Sequence, residues 1–142
     1  VAVGDAAGTD SMVILAAPAN RRHIFSVYAY PGQASTARRS IAMVRAVAAS
    51  GPGRQLVGFP VRPCPSEVRP SPNSSKCFCG AGSGTWATLA LAAGLGIRVT
   101  VFSSAWVPLP RWGEWIPAVG EIWAGCWHWK APMGFGFNLP LL

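Results

Sequence analysis

The amino-acid sequence predicts an α/β protein built on an open parallel sheet, and three observations carry that prediction. First, short apolar stretches rich in β-branched residues alternate with segments of helical periodicity, in the order strand, helix, strand, helix, strand, helix, strand. Such alternation is the mark of parallel strands joined by helical crossovers. Second, residues Cys77 to Phe102 read as a glycine-rich loop (Gly80 to Gly84), a helix from about Thr85 to Ala93, a glycine stop and a strand. A loop opening directly into a helix concentrates unpaired amide donors at the positive end of the helix dipole, where phosphate or carboxylate can be held. Third, 51% hydrophobic and 12% charged residues in 142 positions describe one core-rich domain.

Taken in order, Val1–Val3 resembles the tail of a buried strand. Gly4-Asp5-Ala6-Ala7-Gly8-Thr9-Asp10 forms a small-residue turn, with Thr9 or Asp10 placed to cap the next helix. Met12, Val13, Leu15 and Ala16 provide that helix with an apolar side, and Pro18 ends it. His23 to Tyr28 is a second strand, rich in aromatic and β-branched residues. After a Pro31-Gly32 loop, Ser35 or Thr36 is placed to cap a helix in which Ile41, Val44, Val47 and Ala48 recur at helical spacing. Gln55 to Phe59 is the next strand. Pro60 to Lys76 holds five prolines and no periodicity, and it reads as a long loop or insertion.

In open parallel sheets ligands bind at the carboxyl ends of the strands, where the strand-to-helix loops gather. Three loops fall there: Gly4 to Asp10, Tyr30 to Arg39, and Pro60 to Gly84. The first and third contain glycines and the second delivers Arg38-Arg39. Their convergence points to an anion or nucleotide site. The formal charge of +7, from 12 basic and 5 acidic residues, favours anionic partners as well.

The other features are less directive. Cys64, Cys77, Cys79 and Cys126 lack Cys-x-x-Cys spacing, so buried or incidental thiols are expected and no metal site is assigned. No apolar run reaches the roughly 20 residues of a membrane span, and no leader is evident, so a soluble, cytoplasmic protein without a membrane partner is expected. Residues 103–142 carry six of the seven tryptophans among prolines and glycines. They read as a C-terminal extension packed over the sheet, since large aromatic rings bury much surface.

Several of these residues together resemble a known group. The Gly4–Asp10 turn, Arg39-Ser40 opening a helix, a strand ending Gly58-Phe59-Pro60, and Gly82-Ser83-Gly84-Thr85 are similar to motifs of the SLOG superfamily. These are Rossmann-like proteins related to DprA and to the LOG phosphoribohydrolases, and the likeness is greatest to the YspA/YpsA-type branch. The resemblance covers residues 1–102, and it implies a three-layer Rossmann-like domain there with helices on both faces of the parallel sheet. It also implies that the family's first strand and helix precede Val1.

By this resemblance Gly82, Ser83, Gly84 and Thr85 cradle phosphate, while Gly4, Asp5, Gly8, Asp10, Arg38, Arg39 and Ser40 shape the rest of the wall. The expected ligand is of the ADP-ribose, NAD or nucleoside monophosphate class. Two departures qualify the likeness: the Pro60–Lys76 insertion interrupts the family's strand-to-loop turn, and Thr88 stands where LOG enzymes carry a glutamate. A threonine supplies neither the charge that steadies a ribosyl cation nor a base near neutral pH.

The resulting expectation is a nucleotide-binding or sensor domain without a confident catalytic residue. Cleavage of a nucleoside 5′-monophosphate, with Asp5 and Arg39 as its candidates, is the first alternative. Single-stranded DNA binding by the Arg and Trp content is the second. Self-association is left open.

Overall fold

A computed structural model describes residues 1–4 and 8–135 of the chain. Its elements are β1 (Ala2–Val3), α1 (Thr9–Ala16), β2 (His23–Ile24), α2 (Ser35–Ala48), β3 (Gln55–Gly58), α3 (Ser74–Cys77), α4 (Gly84–Gly94), β4 (Arg98–Phe102), β5 (Glu114–Pro117) and β6 (Cys126–Lys130). The protein is mixed α/β. β1 and β2 form a parallel pair, and a separate four-stranded sheet runs in the order β3-β4-β6-β5.

β3 and β4 are parallel, with Gln55 opposite Arg98 and Gly58 opposite Val101. The single open parallel sheet expected from the sequence is therefore not formed: parallel pairing joins β1 to β2 and, in a separate mixed sheet, β3 to β4. The C-terminal segment extends the mixed sheet with antiparallel strands, Thr100 pairing with His128 and Trp115 with Trp129. A parallel strand needs a long crossover, whereas an antiparallel one needs only a short connection. The eight residues between Pro117 and Cys126 are enough for the second kind.

The core lies between β3–β4 and α4. Leu56, Val99 and Val101 alternate onto one face of the sheet, and Trp86, Leu89, Ala90 and Ala93 of α4 are buried against it, with Val44 of α2 beside them. Gly58 is where the helix comes closest: a Cβ there would lie 2.8 Å from both δ-carbons of Leu89. α4 is apolar around its whole circumference, as a helix covered on all sides must be. The Ile41, Val44, Val47 and Ala48 stripe of α2 packs into the same cluster, as its spacing predicts.

Two of the expected elements end differently. His23 to Tyr28 was expected to be one strand, but pairing stops at Ile24. The Ser26 hydroxyl accepts from the Tyr28 amide and starts a 3-10 turn over Val27–Ala29, the local competition with strand pairing that serine offers. The apolar side of α1 faces outward, with Met12 70% and Leu15 85% exposed, because a two-residue strand pair is too small to cover an eight-residue helix.

The Pro60–Lys76 insertion is a strap laid along α4. The indole N–H of Trp86 donates to the Arg62 carbonyl at 2.7 Å, and that of Trp112 donates to the Val68 carbonyl at 2.9 Å. The two rings meet edge to face at 5.6 Å. Further along, the Ser71 amide donates to the Ala90 carbonyl at 3.3 Å. Gly94 lets the strap pass, since a Cβ there would collide with the Ser71 backbone and lie 2.5 Å from the Pro72 nitrogen. Asn73 then caps α3 by accepting from the Ser75 amide. Trp86 and Trp112 are buried and hold the insertion down, whereas Trp106 is exposed, and the C-terminal segment expected to cover the sheet extends its edge instead.

Candidate functional site

Chain direction places two groups of candidate residues at one edge. α4 joins β4 through Leu95–Ile97, and α2 joins β3 through residues 49–54, so both helices end at the amino edge of their strands. Packed side by side, they begin toward the carboxyl edge, where Ser35–Ser40 and Gly82–Thr85 lie.

The first group centres on Arg39. This residue is 6% exposed, and its Nη1 lies 3.7 Å from Oδ2 of Asp10 in the first turn of α1. Gly4, directly after β1, fits against both: a Cβ at that position would collide with Nη1 of Arg39 and lie 2.6 Å from Oδ2 of Asp10. Ser40 is buried beside Arg39. A buried guanidinium keeps its charge and needs a partner, and Asp10 supplies one. Three predicted residues, Gly4, Asp10 and Arg39, are thus brought together. Asp5 lies outside the described residues.

Arg38 does not join them. Adjacent helical residues point in different directions, and Arg38 turns outward, its Nη1 donating to the Pro31 carbonyl at 2.8 Å and its guanidinium carbon 6.0 Å from the Tyr30 ring centroid. Gly8 serves as the N-cap position of α1 at φ 96°. The expected side-chain caps are absent from both early helices: neither Thr9 nor Asp10 caps α1, and α2 starts from Ala34 in the left-handed region at φ 56°. At both starts the N-cap position falls on a residue without a capping side chain, Gly8 and Ala34, so Thr9, Asp10, Ser35 and Thr36 already lie inside the helix.

The second group is the glycine loop. Gly80 and Gly82 take φ of 82° and 96°, the region that favours glycine. Ser83 is the N-cap of α4, its hydroxyl accepting from the Trp86 amide at 3.3 Å, and its carbonyl accepts from Ala87 at 3.0 Å. The helix's remaining opening donors are the amides of Gly84 and Thr85, with no side chain beside Gly84 to block approach. Thr88, one turn on, donates its hydroxyl to the Gly84 carbonyl at 2.7 Å.

The cysteines are free thiols. Burial pushes Cys64 up to about 12 and Cys77 to about 11, so neither is a nucleophile near neutral pH. Among the described residues no helix is long and apolar enough to cross a membrane.

Sequence reasoning missed a polar row on the sheet face opposite α4. Gln55 Nε2 donates to Thr100 Oγ1, which in turn lies 2.8 Å from His128 Nδ1. These residues sit on β3, β4 and β6. Their meeting depends on the antiparallel placement of β6, for which the sequence has no local signal. Burial, and after it the charge of Arg98, hold the His128 imidazole below the ordinary range.

Comparison of the chain with protein-family models, with curated proteins and with solved structures finds no match in any of the three.

Proposed function

We propose that this protein binds a nucleotide or nucleotide-derived anion at its carboxyl edge, on a Rossmann-like arrangement of the SLOG type. The observation that carries the reading is the Gly4–Asp10–Arg39 cluster: a buried guanidinium, fitted against a glycine and 3.7 Å from the Asp10 carboxylate. The open amides of Gly84 and Thr85 at the start of α4 supply the second half of such a site. In this reading phosphate oxygens take the α4 amides, and Arg39 lends positive charge to the remainder of an ADP-ribose, NAD or nucleoside monophosphate ligand.

Binding without cleavage is favoured because Thr88 spends its hydroxyl on the helix backbone, at the position where a carboxylate would serve hydrolysis. The test is calorimetric titration with ADP-ribose, NAD and AMP. Saturable binding of one of them is expected, abolished by Gly84→Asp and weakened at least tenfold by Arg39→Gln. No binding of any of the three, or unchanged binding in Gly84→Asp, overturns the proposal. Release of free adenine from AMP would replace it with the hydrolytic alternative.

A further inference from the structure

The opposite edge of the sheet carries a cavity unrelated to the site above. It has a volume of about 360 Å³ and is lined by Pro52, Gly53, Arg54, Gln55, Gly96 and Arg98. Two connections build it, the one entering β3 and the one entering β4. Because these strands are parallel neighbours, both connections reach the same edge. Gly53 at φ 76° and Gly96 at φ 77° turn the chain tightly there. A Cβ at either would meet nothing within 4 Å, so the space in front of both loops is open.

The charge in this cavity is one-sided. Arg54 donates from Nη1 to the Gly51 carbonyl at 3.3 Å, while its Nε is buried with no acceptor. Arg98, opposite Gln55 in the strand register, has no carboxylate within 4.0 Å among the described residues. Its charge reaches His128 on the same face. The helix ends at this edge do not offset the two guanidiniums through open carbonyls alone, since the Gly96 and Ile97 amides cap those of Ala93 and Ala92 in α4 and Ser50 caps Val47 in α2. Two arginines at one concave site match the oxygens of phosphate or carboxylate in charge-assisted bonds. The volume is in the range of small-ligand sites, roughly 300–1,000 Å³, larger than a bare ion needs.

We propose that this cavity is a second anion site, in which Arg54 and Arg98 hold the phosphate or carboxylate group of a small solute. Arg54 and Arg98 approach the oxyanion from the two neighbouring strand entrances and set their positive charge against it. The site is independent of the carboxyl-edge reading and stands if that reading fails.

The experiment is a titration of the ¹⁵N-labelled chain with inorganic phosphate and, separately, with citrate, at ionic strength held constant with sodium chloride. Saturable shifts are expected at the amides of Gly53 and Gly96 and at the Arg54 side chain. A response to phosphate alone identifies a phosphate site, and a response to citrate alone a carboxylate site. Arg98→Gln is expected to weaken binding at least fivefold and Arg54→Gln/Arg98→Gln to abolish it. Arg111→Gln, on an exposed residue, and Gly84→Asp, at the opposite edge, leave it unchanged. A retained wild-type spectrum elsewhere in the double variant shows that its loss is local. Absence of saturable shifts with both anions, shifts reproduced by sodium chloride, or unaltered binding in the double variant overturns the proposal.

Discussion

At the scale of single residues, the chain places unusual demands at a few positions. Ala34 takes a left-handed conformation at φ 56° where α2 begins. For a residue with a Cβ this costs about 1–2 kcal/mol, so Ala34→Gly should stabilise the protein by roughly 0.5–1 kcal/mol after the entropy that glycine loses on folding, read as a rise in urea midpoint. Gly94 is the reverse case. Its missing Cβ is the space through which Ser71 and Pro72 pass, and Gly94→Ala should destabilise by about 1–3 kcal/mol, the ordinary cost of overpacking. His128 carries a pH dependence. Its folded pKa is depressed by burial and by Arg98, so the unfolded chain binds the extra proton first. Stability is therefore fully present above the unfolded value near 6.5 and declines as pH falls below it. Urea midpoints across pH 5–8 should show this decline, and His128→Gln should flatten it.

At the scale of elements, α4 governs the structure. Its side chains meet β3 and β4 on one flank and the 60–76 strap on the other, and this explains why no stripe of polar residues interrupts Trp86 to Gly94. Two indole N–H groups hold the strap, and Trp86→Phe or Trp112→Phe removes one bond while keeping an aromatic ring. Each should cost about 1–3 kcal/mol for the carbonyl left unsatisfied and the lost volume. Amide hydrogen exchange should rise across residues 61–71 more than in β4. The helical stripe of α2 and the glycine-to-helix start of α4 were legible in the sequence, because periodicity and glycine content are local properties. The ends of β2 and the starts of α1 and α2 were not. They depend on which of several adjacent hydroxyls and amides find each other once the chain has turned.

At the scale of the whole molecule, two parallel pairs and an antiparallel C-terminal hairpin set Arg39 apart from Arg54 and Arg98. Arg39 is buried toward the carboxyl edge and paired with Asp10, whereas Arg54 and Arg98 face a cavity at the amino edge. The two sites should respond independently: phosphate shifts at Gly53 and Gly96 should persist in Arg39→Gln, and nucleotide binding should persist in Arg98→Gln. Of the candidate site, Gly4, Asp10 and Arg39 were foreseeable as a group because strand-to-helix loops must gather where parallel strands end. The outward turn of Arg38 follows from helical geometry and shows that a charged pair in sequence is not a pair in space.

By itself the sequence determined the α/β character, the amphipathic register of α2 and the glycine-opened start of α4, since each is written in the spacing of neighbouring residues. Only the tertiary structure decided that the tryptophan-rich segment adds antiparallel strands to the sheet, that the proline-rich insertion is strapped along α4, and that Arg54 and Arg98 line one cavity. Those outcomes join residues far apart in the sequence, and what selects them is the burial of particular rings and the pairing of particular carbonyls, terms that exist only once the chain is folded.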